Sequence, residues 1–276
     1  MHRRRVPPAA ISIQSSFDIF EPTPLQSKRM AGNDADHRSV DLLAGAEAHI
    51  WLVRLDEVGQ NWPGWEKVLA PDELAKANRL LEPADRFRSA ASRAVLRRLL
   101  GYYLDLPPAR FQFVYNRFGK PALAEPDRAA RLSFSIAHSH EHALFGFAAG
   151  RPIGVDIEWM RADMQFQDLA SGICSAAEIR KLESLPEGHR MPALYECWTL
   201  KEAYLKALGV GLSFAPQRVG IIFDDRMTAE IPGLRCLLGV RGCWTTLPID
   251  DVTGYAAAAV VPGRSVSFRR FVLDDD

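Results

Sequence analysis

The sequence lacks net charge and has few cysteines, and both shortages exclude classes of protein. Its 276 residues include 34 Lys and Arg against 34 Asp and Glu, so the formal charge is +0. Such a chain has no overall field to attract nucleic acid or a membrane surface, so any site for an anion must be local. The four cysteines, at 174, 197, 236 and 243, form no C-x-x-C pair and no zinc-ribbon spacing, which predicts reduced thiols.

Long apolar runs are also absent. The longest, such as 255–261, fall far short of the roughly 18 residues of a membrane helix. The basic residues at 3–5 precede no apolar segment of signal-peptide length. We therefore expect a cytoplasmic protein, and a monomer. Hydrophobic residues at 47% and charged residues at 25% are average for a folded chain and argue against long disorder.

Hydrophobic periodicity predicts a mixed α+β fold behind an irregular start. Residues 1–40 contain four prolines and no sustained period, which predicts an extended or disordered lead, although a true start at Met30 would explain them equally well. The first predicted elements are a strand at 49–55, buried on both sides, helices at 72–81 and 84–104, and strands at 111–115, 132–138, 143–148 and 153–158. The second helix carries Arg86, Arg88, Arg93, Arg97 and Arg98, which indicates a solvated face.

The second part of the chain repeats this alternation. The pair Ser175 and Glu178 predicts a capping box that opens a helix to about Leu185. A longer helix over 191–208 is predicted to end at Gly209. Strands are then predicted at 220–223, 236–238, 253–261 and 265–272.

A faint internal repeat supports a duplicated fold. Residues 93–101 align without gaps on 201–209, and 143–149 resemble 254–260, in the same order and about 110 residues apart. This predicts a lead at 1–40 and two similar α+β halves, 41–155 and 156–276, with a cleft between them.

The clearest candidates for metal-binding or catalytic residues are two acids on a predicted strand and two charged residues on a predicted helix. Asp156 and Glu158 alternate, so a strand would place both carboxylates on one face. That face is either solvated or holds a hard divalent cation such as Mg²⁺. Glu202 and Lys206 are one helical turn apart, so they form either an ordinary surface salt bridge or, in a cleft, a further oxygen ligand and a phosphate-binding cation.

Two other motifs leave alternatives open. His138, His140 and His142 alternate, and on one strand they could form a three-imidazole zinc site, which would suit a zinc-dependent hydrolase. Solvated histidines at a strand end explain them as well. Gly119-Lys120-Pro121 predicts a turn that either lies on the surface or presents Lys120 rigidly.

Taken together, four motifs resemble the 4'-phosphopantetheinyl transferases of the two-half, surfactin-synthetase-activating type. They are GKP at 119–121, FSIAHS at 134–139, GVDIE at 154–158 and WTLKEAYLK at 198–206. The last two are specific, and the resemblance spans about residues 45–270. It implies the duplicated phosphopantetheinyl transferase fold, with the acids supplied from the end of the first half and the active site at the junction of the halves.

The resemblance also implies a reaction and its residues. The reaction is Mg²⁺-dependent (Mn²⁺ could replace it): phosphopantetheine passes from coenzyme A to a serine of an apo acyl, polyketide or peptidyl carrier protein, releasing adenosine 3',5'-bisphosphate. By position, the metal ligands are Asp156, Glu158 and Glu202, with Lys206 on phosphate, and the coenzyme A contacts are Lys120, His138, Ser139 and Arg93. Ala137 departs from the usual Ser, so one hydroxyl is missing. A non-catalytic regulator that binds coenzyme A or the carrier is the alternative of a different class.

Overall fold

The structure is a computed structural model that describes residues 26–28, 43, 47–124, 131–211, 214–222, 228–230 and 244–273. The predicted lead at 1–40 lies outside these residues except for 26–28, and the predicted strand at 236–238 lies outside them entirely. Within the described ranges, no helix combines the length and the apolar character that crossing a membrane requires.

The elements alternate as the periodicity predicts. Up to residue 149 they are β1 (Gln26–Lys28), β2 (Glu47–Arg54), α1 (Val58–Asn61), α2 (Pro71–Ala77), α3 (Pro83–Leu104), β3 (Phe113–Tyr115), β4 (Pro121–Leu123), β5 (Leu132–Ser139) and β6 (His142–Ala149). They continue with β7 (Gly154–Trp159), α4 (Phe166–Ile173), α5 (Ala176–Glu183), α6 (Glu187–Leu208), β8 (Gly220–Ile222), β9 (Thr228–Glu230), β10 (Trp244–Ile249), β11 (Tyr255–Pro262) and β12 (Ser267–Leu273). The capping box at Ser175 and Glu178 is confirmed.

The strand order confirms two similar halves of the α+β class. In the first half β2 pairs antiparallel with β6, which pairs with β5, and in the second half β7 pairs antiparallel with β11, which pairs with β10. Each half has a helix of 22 residues between its first strand and a short two-stranded hairpin. The last strand, β12, lies parallel to β2 in the first sheet, and β1 lies parallel to β12.

This order places the acids in the second sheet, so they lie in the second half and not at the end of the first, where the resemblance had assigned them. Strand β7, which carries Asp156 and Glu158, hydrogen-bonds to β11 and therefore begins the second sheet, in the place that β2 takes in the first. It looks like a first-half strand in the sequence because it directly follows β6, while its pairing partner lies about 100 residues further on.

Apolar side chains divide the molecule into layers. On β2, Trp51 and Val53 pack into the cluster beneath α3, whereas Ile50 and Leu52 face the other way, which confirms that this strand is buried on both sides. The second face meets side chains of β7 and β11, such as Val155, so the two sheets pack against each other. Helix α6 covers the outer face of the second sheet.

Helix α6 approaches β7 unusually closely at Gly154. A Cβ atom at that position would lie 1.8 Å from the carbonyl oxygen of Ala203 and 2.5 Å from the amide nitrogen of Ala207. Only a residue without a side chain fits, so the helix backbone rests directly on the start of the strand. This contact fixes how far α6 stands from the acids of β7.

The predicted solvated face of α3 is wrong at Arg97. This side chain is buried, and its guanidinium donates to Glu73 Oε2 at 2.7 Å and to the carbonyl oxygens of Pro108 and Phe111. The physical reason is that a buried charge needs a charged or polar partner, and Glu73 on α2 supplies one that lies far away in the sequence. The periodicity also gave no prediction for α4 or β10.

Candidate active site

Strand β7 presents its two acids on one face, as the alternation predicts. Val155 and Ile157 point into the apolar layer between the sheets, and Asp156 and Glu158 point to the opposite side. Their partners across the ladder on β11 are Ala258 and Ala256. Small side chains opposite both acids leave room beside the carboxylates.

Helix α6 brings Lys206 to Asp156. The Nζ atom of Lys206 lies 2.5 Å from Oδ1 of Asp156, although the residues are 50 positions apart in the chain. Asp156 is only 2% exposed, whereas the Lys206 side chain is 30% exposed. The ammonium group of Lys206 therefore contacts a buried carboxylate while part of the lysine side chain faces the open side of the cleft. Glu202, one turn earlier on α6, is also buried.

Burial makes this group of acids electrostatically strained. Burial raises the pKa of Glu158 to about 7, and the negative charges of Asp156 and Glu202 add to that rise. Burial, and then the charge of Asp156, raises the pKa of Glu202. Burial also raises the pKa of Asp156, although Lys206 opposes that effect. Each shift reflects carboxylates that share a poorly solvated space with one positive charge between them.

Asp156 keeps one oxygen without a partner. Its Oδ2 atom is buried and accepts no hydrogen bond. Among the described residues, no three His, Cys, Asp or Glu side chains already converge as metal ligands, and Lys206 takes one oxygen of Asp156. The chemistry of the three acids nevertheless fits a hard cation, because all their donors are carboxylate oxygens and one is unused.

Ser139 orients Glu158. Its hydroxyl donates to Glu158 Oε2 at 3.0 Å and accepts the backbone N–H of Trp159, also at 3.0 Å. Because Ser139 ends β5, the first half of the molecule positions an acid of the second half. The predicted contact of Ser139 with coenzyme A stays a prediction; in this structure its hydroxyl serves the carboxylate.

The three histidines do not share one strand face. Strand β5 ends at Ser139, and His140 adopts a positive φ of 51° in the turn that leads to β6. The His140 ring packs against Trp159, and the His142 ring against Tyr255, with centroids 4.6 and 4.7 Å apart. Among the described residues these histidines form no group that could hold a metal ion, so the zinc alternative has no geometric basis there.

His138 lies at the rim of the cleft. The residue is exposed, yet nearby protein partly desolvates its ring and lowers its pKa, and the positive charges of Lys206, Arg93 and Lys76 lower it further. The negative charge of Asp85 opposes that shift, and the ring can donate an N–H to a phosphate oxygen that enters beside these cations. Arg93 and Lys206 therefore both lie close enough to His138 for their charges to affect its pKa.

Arg93 is held by a buried acid that sequence reasoning did not single out. Its Nε atom lies 3.3 Å from Oε1 of Glu73, and its guanidinium carbon lies 5.2 Å from the centre of the Phe113 ring. Its Nη1 atom is buried and has no hydrogen-bond partner. Arg93 thus keeps donor capacity for an anion, as its predicted role requires.

Lys120 lies where the two halves meet. Its Nζ atom donates to the carbonyl oxygens of Ile153, Lys206 and Ala207, and burial lowers its pKa to about 8. A cavity of about 200 Å³ next to it is lined by residues 118–121 and 134–136 and by Lys206, Gly209 and Gly211. The GKP and FSIAHS motifs and the end of α6 therefore surround one space.

A buried lysine on α6 escaped prediction. Lys201 is fully buried, and its Nζ atom donates to Glu178 Oε2 at 2.7 Å and to the carbonyl oxygen of Ile173 at 3.0 Å. The pair ties α6 to the start of α5 and so restrains rotation of the helix that carries Glu202. Because lysine is almost never fully buried, the sequence gave no reason to expect a buried lysine at 201. The one related signal was its partner Glu178, which the capping box had predicted.

Comparison with known proteins agrees with these motifs. Residues 152–260 match the family model described as the 4'-phosphopantetheinyl transferase superfamily. The chain is 36% identical over 221 residues to 4'-phosphopantetheinyl transferase HetI of Nostoc sp., covering 80% of this chain and 90% of that protein. It is 27% identical over 171 residues to a phosphopantetheinyl transferase of Thraustochytrium sp., covering 58% and 59% of the two chains. Against Sfp of Bacillus subtilis it is 24% identical over 167 residues, covering 59% and 71%.

Proposed function

The chain belongs to the 4'-phosphopantetheinyl transferase superfamily, and from that premise we propose which of its residues carry out the reaction. The protein is a transferase that moves phosphopantetheine from coenzyme A to a carrier protein. The acceptor in this reaction is a serine hydroxyl, and the other product is adenosine 3',5'-bisphosphate. The roles of the metal and of the side chains are inferred from the contacts around β7 and α6.

The contact between Lys206 and Asp156 carries the proposal. A pyrophosphate brings several negative charges to a chain with no net charge, so binding depends on cations placed locally. Lys206 is the cation that reaches from the acids of β7 toward the open side of the cleft. It would therefore lie between the acids and the transferring phosphate.

We propose that Asp156, Glu158 and Glu202 hold Mg²⁺. The unused Oδ2 of buried Asp156 and the mutually raised pKa values of the acids favour a cation among them. When bound, Mg²⁺ would neutralise the acids and withdraw charge from the pyrophosphate oxygens. Ser139 would keep Glu158 oriented for this purpose through its 3.0 Å hydrogen bond.

The protein's own groups then account for the remaining steps. Attack by the serine oxygen forms the new O–P bond, and the pyrophosphate P–O bond breaks to release the nucleotide. The serine proton would pass to Glu202, directly or through a metal-bound water, and a serine that is deprotonated late in the attack does not require a strong base. The ammonium of Lys206 would stabilise the charge on the transferring phosphoryl oxygens.

The first half would supply the nucleotide end of the site. Arg93, with its unused Nη1, and His138 at the rim are the proposed anion contacts. Ala137, where the family usually has Ser, lies buried on β5 and offers no hydroxyl. Contacts to the nucleotide from this strand would then come mainly from His138.

The test is transfer to a panel of apo carriers. Purified protein, coenzyme A and Mg²⁺ are incubated with fatty-acid, polyketide and peptidyl carriers, and carrier mass is followed. We expect one phosphopantetheine on serine of at least one carrier, no gain with EDTA, and no loss with a zinc-selective chelator. Folded protein that binds coenzyme A but modifies none of the carriers would support a non-catalytic regulator. The carrier pathway, the monomeric state and the cytoplasmic location remain predictions.

A further inference from the structure

The turn before β4 grips the end of α6. Lys120 Nζ donates to the carbonyl oxygens of Lys206 at 2.6 Å and Ala207 at 3.3 Å, and Asn116 Nδ2 donates to that of Gly209 at 2.7 Å. We call Asn116 and Lys120 the carbonyl clamp. Both residues belong to the first half, whereas every carbonyl just named belongs to the last turn of α6 or to its cap.

A helix C-terminus needs such donors. Its last carbonyl groups have no partner within the helix and carry a partial negative charge. Helix α6 ends at Leu208, and Gly209 reverses the chain in a left-handed conformation with φ 70°. An ammonium group and an amide N–H that meet these carbonyls satisfy them and hold the terminus in place.

The clamp is itself rigid. Asn116 Oδ1 accepts the backbone N–H groups of Phe118 and Lys120, both at 2.9 Å, and Gly119 takes a φ of 85°. This side-chain turn fixes the loop independently of any ligand. The two donors therefore face α6 with little conformational freedom left to lose.

Lys120 also touches β7. Its Nζ atom donates to the carbonyl oxygen of Ile153 at 3.2 Å, one residue before Gly154, where α6 rests directly on the strand. One ammonium group thus joins the start of β7 to the end of α6. Asp156 lies three residues after Ile153. The shortest hydrogen bond from Lys120 goes to the carbonyl oxygen of Lys206, whose own side chain contacts Asp156.

We propose that Lys120 and Asn116 are positioning residues that fix α6 along β7 so that Lys206 reaches Asp156. Lys120 then acts through the helix rather than as a phosphate ligand, and this role rests on the proposed function of Lys206. Burial of the ammonium, which lowers its pKa to about 8, agrees with a group committed to the protein interior. A displacement of about 1 Å at a reacting group can lower the rate by roughly 100-fold, so a small loss of register is sufficient to matter.

Kinetics separates the two roles of Lys120. We expect Lys120→Met and Asn116→Asp each to lower kcat by roughly 10- to 100-fold. Each should leave the KM for coenzyme A, and its ratio to the KM for dephospho-coenzyme A, within about twofold of wild type. The double variant should fall little below the worse single variant, because both act on one helix end. Arg117→Met, which removes a charge from the same loop but leaves the clamp, should retain wild-type kinetics.

Opposite results would overturn the proposal. A higher KM for coenzyme A at unchanged kcat in Lys120→Met, with Asn116→Asp like wild type, would make Lys120 a phosphate ligand. Reductive methylation of the wild-type protein gives a second test that needs no variant. The clamp predicts that Lys120 resists labelling with and without coenzyme A, whereas a phosphate ligand would be labelled alone and protected by coenzyme A. If Lys206→Ala itself keeps full turnover, the proposed role of Lys206 fails instead, and labelling still decides whether Lys120 is buried in the clamp.

Discussion

At the scale of single residues, Lys206 and Glu202 distinguish an active site from an ordinary helix salt bridge. The two lie one turn apart, and Lys206 binds Asp156 rather than remaining on the helix surface. We expect Lys206→Ala to lower kcat by roughly 100- to 1000-fold, since it removes a fixed charge from the transition state. Glu202→Gln should also lower kcat, because the proton acceptor is lost, and in both variants the KM for coenzyme A should change less than kcat.

A charge-matched variant controls this experiment. Lys181 is exposed on α5, so Lys181→Ala removes the same charge without touching the cleft and should leave turnover unchanged. Steady-state rates of carrier modification give the comparison. Near-wild-type turnover in both Lys206→Ala and Glu202→Gln would mean that α6 has a structural role and takes no part in catalysis.

Glu158 predicts how stability depends on pH in the metal-free protein. Its pKa is about 7 when folded, above the ordinary 4.5, so between these values the folded state binds more protons than the unfolded chain. The stability from the protonated carboxyl is complete below about pH 4.5 and is lost as the pH rises through about 7. Melting temperatures in EDTA should therefore fall from pH 5 to 8, and less steeply in Glu158→Gln.

Magnesium should reverse part of that loss. Because Mg²⁺ needs the ionised carboxylates, it competes with protons, and its stabilising effect should be larger at pH 8 than at pH 6. The same melting series with added Mg²⁺ measures this. A Glu158→Gln variant whose melting temperature parallels wild type at every pH, with and without Mg²⁺, would contradict the assignment.

At the scale of elements, the crossing of α6 over β7 sets the geometry of the site. Gly154→Ala would place a Cβ atom 1.8 Å from a helix carbonyl oxygen, so α6 must move away. We expect a loss of roughly 3 kcal/mol in the free energy of unfolding. Turnover should fall as well, because Lys206 moves with the helix. Urea unfolding and kcat measure the two effects.

Gly172 on α4 offers a matched control. A Cβ atom there would meet nothing within 4 Å, so Gly172→Ala should cost nothing and raise stability by up to about 1 kcal/mol. If Gly154→Ala is as stable as Gly172→Ala, the close contact between α6 and β7 does not exist as described.

Local patterns predicted the elements better than their partners. The nearly continuous apolar sequence of β2 predicted a strand buried on both faces, and the capping box at Ser175 predicted the start of α5, because each signal lies within a few residues. Pairing of β12 with β2 and of β7 with β11 depends on contacts between distant segments, which no local period records. The burial of Arg97 likewise depends on Glu73, a partner 24 positions away.

The candidate site shows the same division. The spacing of Asp156 and Glu158, and of Glu202 and Lys206, predicted which acids share a face, and the structure brings the two pairs together. Spacing alone gave no sign that Ser139 would orient Glu158 or that Lys120 would turn to the carbonyl groups of α6. Both contacts join one half to the other, so they appear only once the sheets are packed.

At the scale of the whole molecule, two halves with similar strand order have different roles. The second half supplies both the acids of β7 and the residues of α6, whereas the first half supplies Ser139 and Lys120, which orient them, and the proposed anion contacts Arg93 and His138. In this proposal a protein without net charge would bind coenzyme A through a few local cations, among them Lys206 beside the acids of β7. The active site would therefore be lost if either half were displaced.

Carrier modification as a function of Mg²⁺ concentration, in wild type and in Asp156→Asn, tests the proposed metal site most directly. The substitution preserves size at a residue that is 2% exposed while removing the charge that Lys206 and Mg²⁺ would share. We predict that wild-type protein modifies an apo carrier in proportion to bound Mg²⁺, and that the folded variant is at least roughly 100-fold slower at every Mg²⁺ concentration. Transfer by Asp156→Asn at the wild-type rate and with the wild-type Mg²⁺ response would contradict the account.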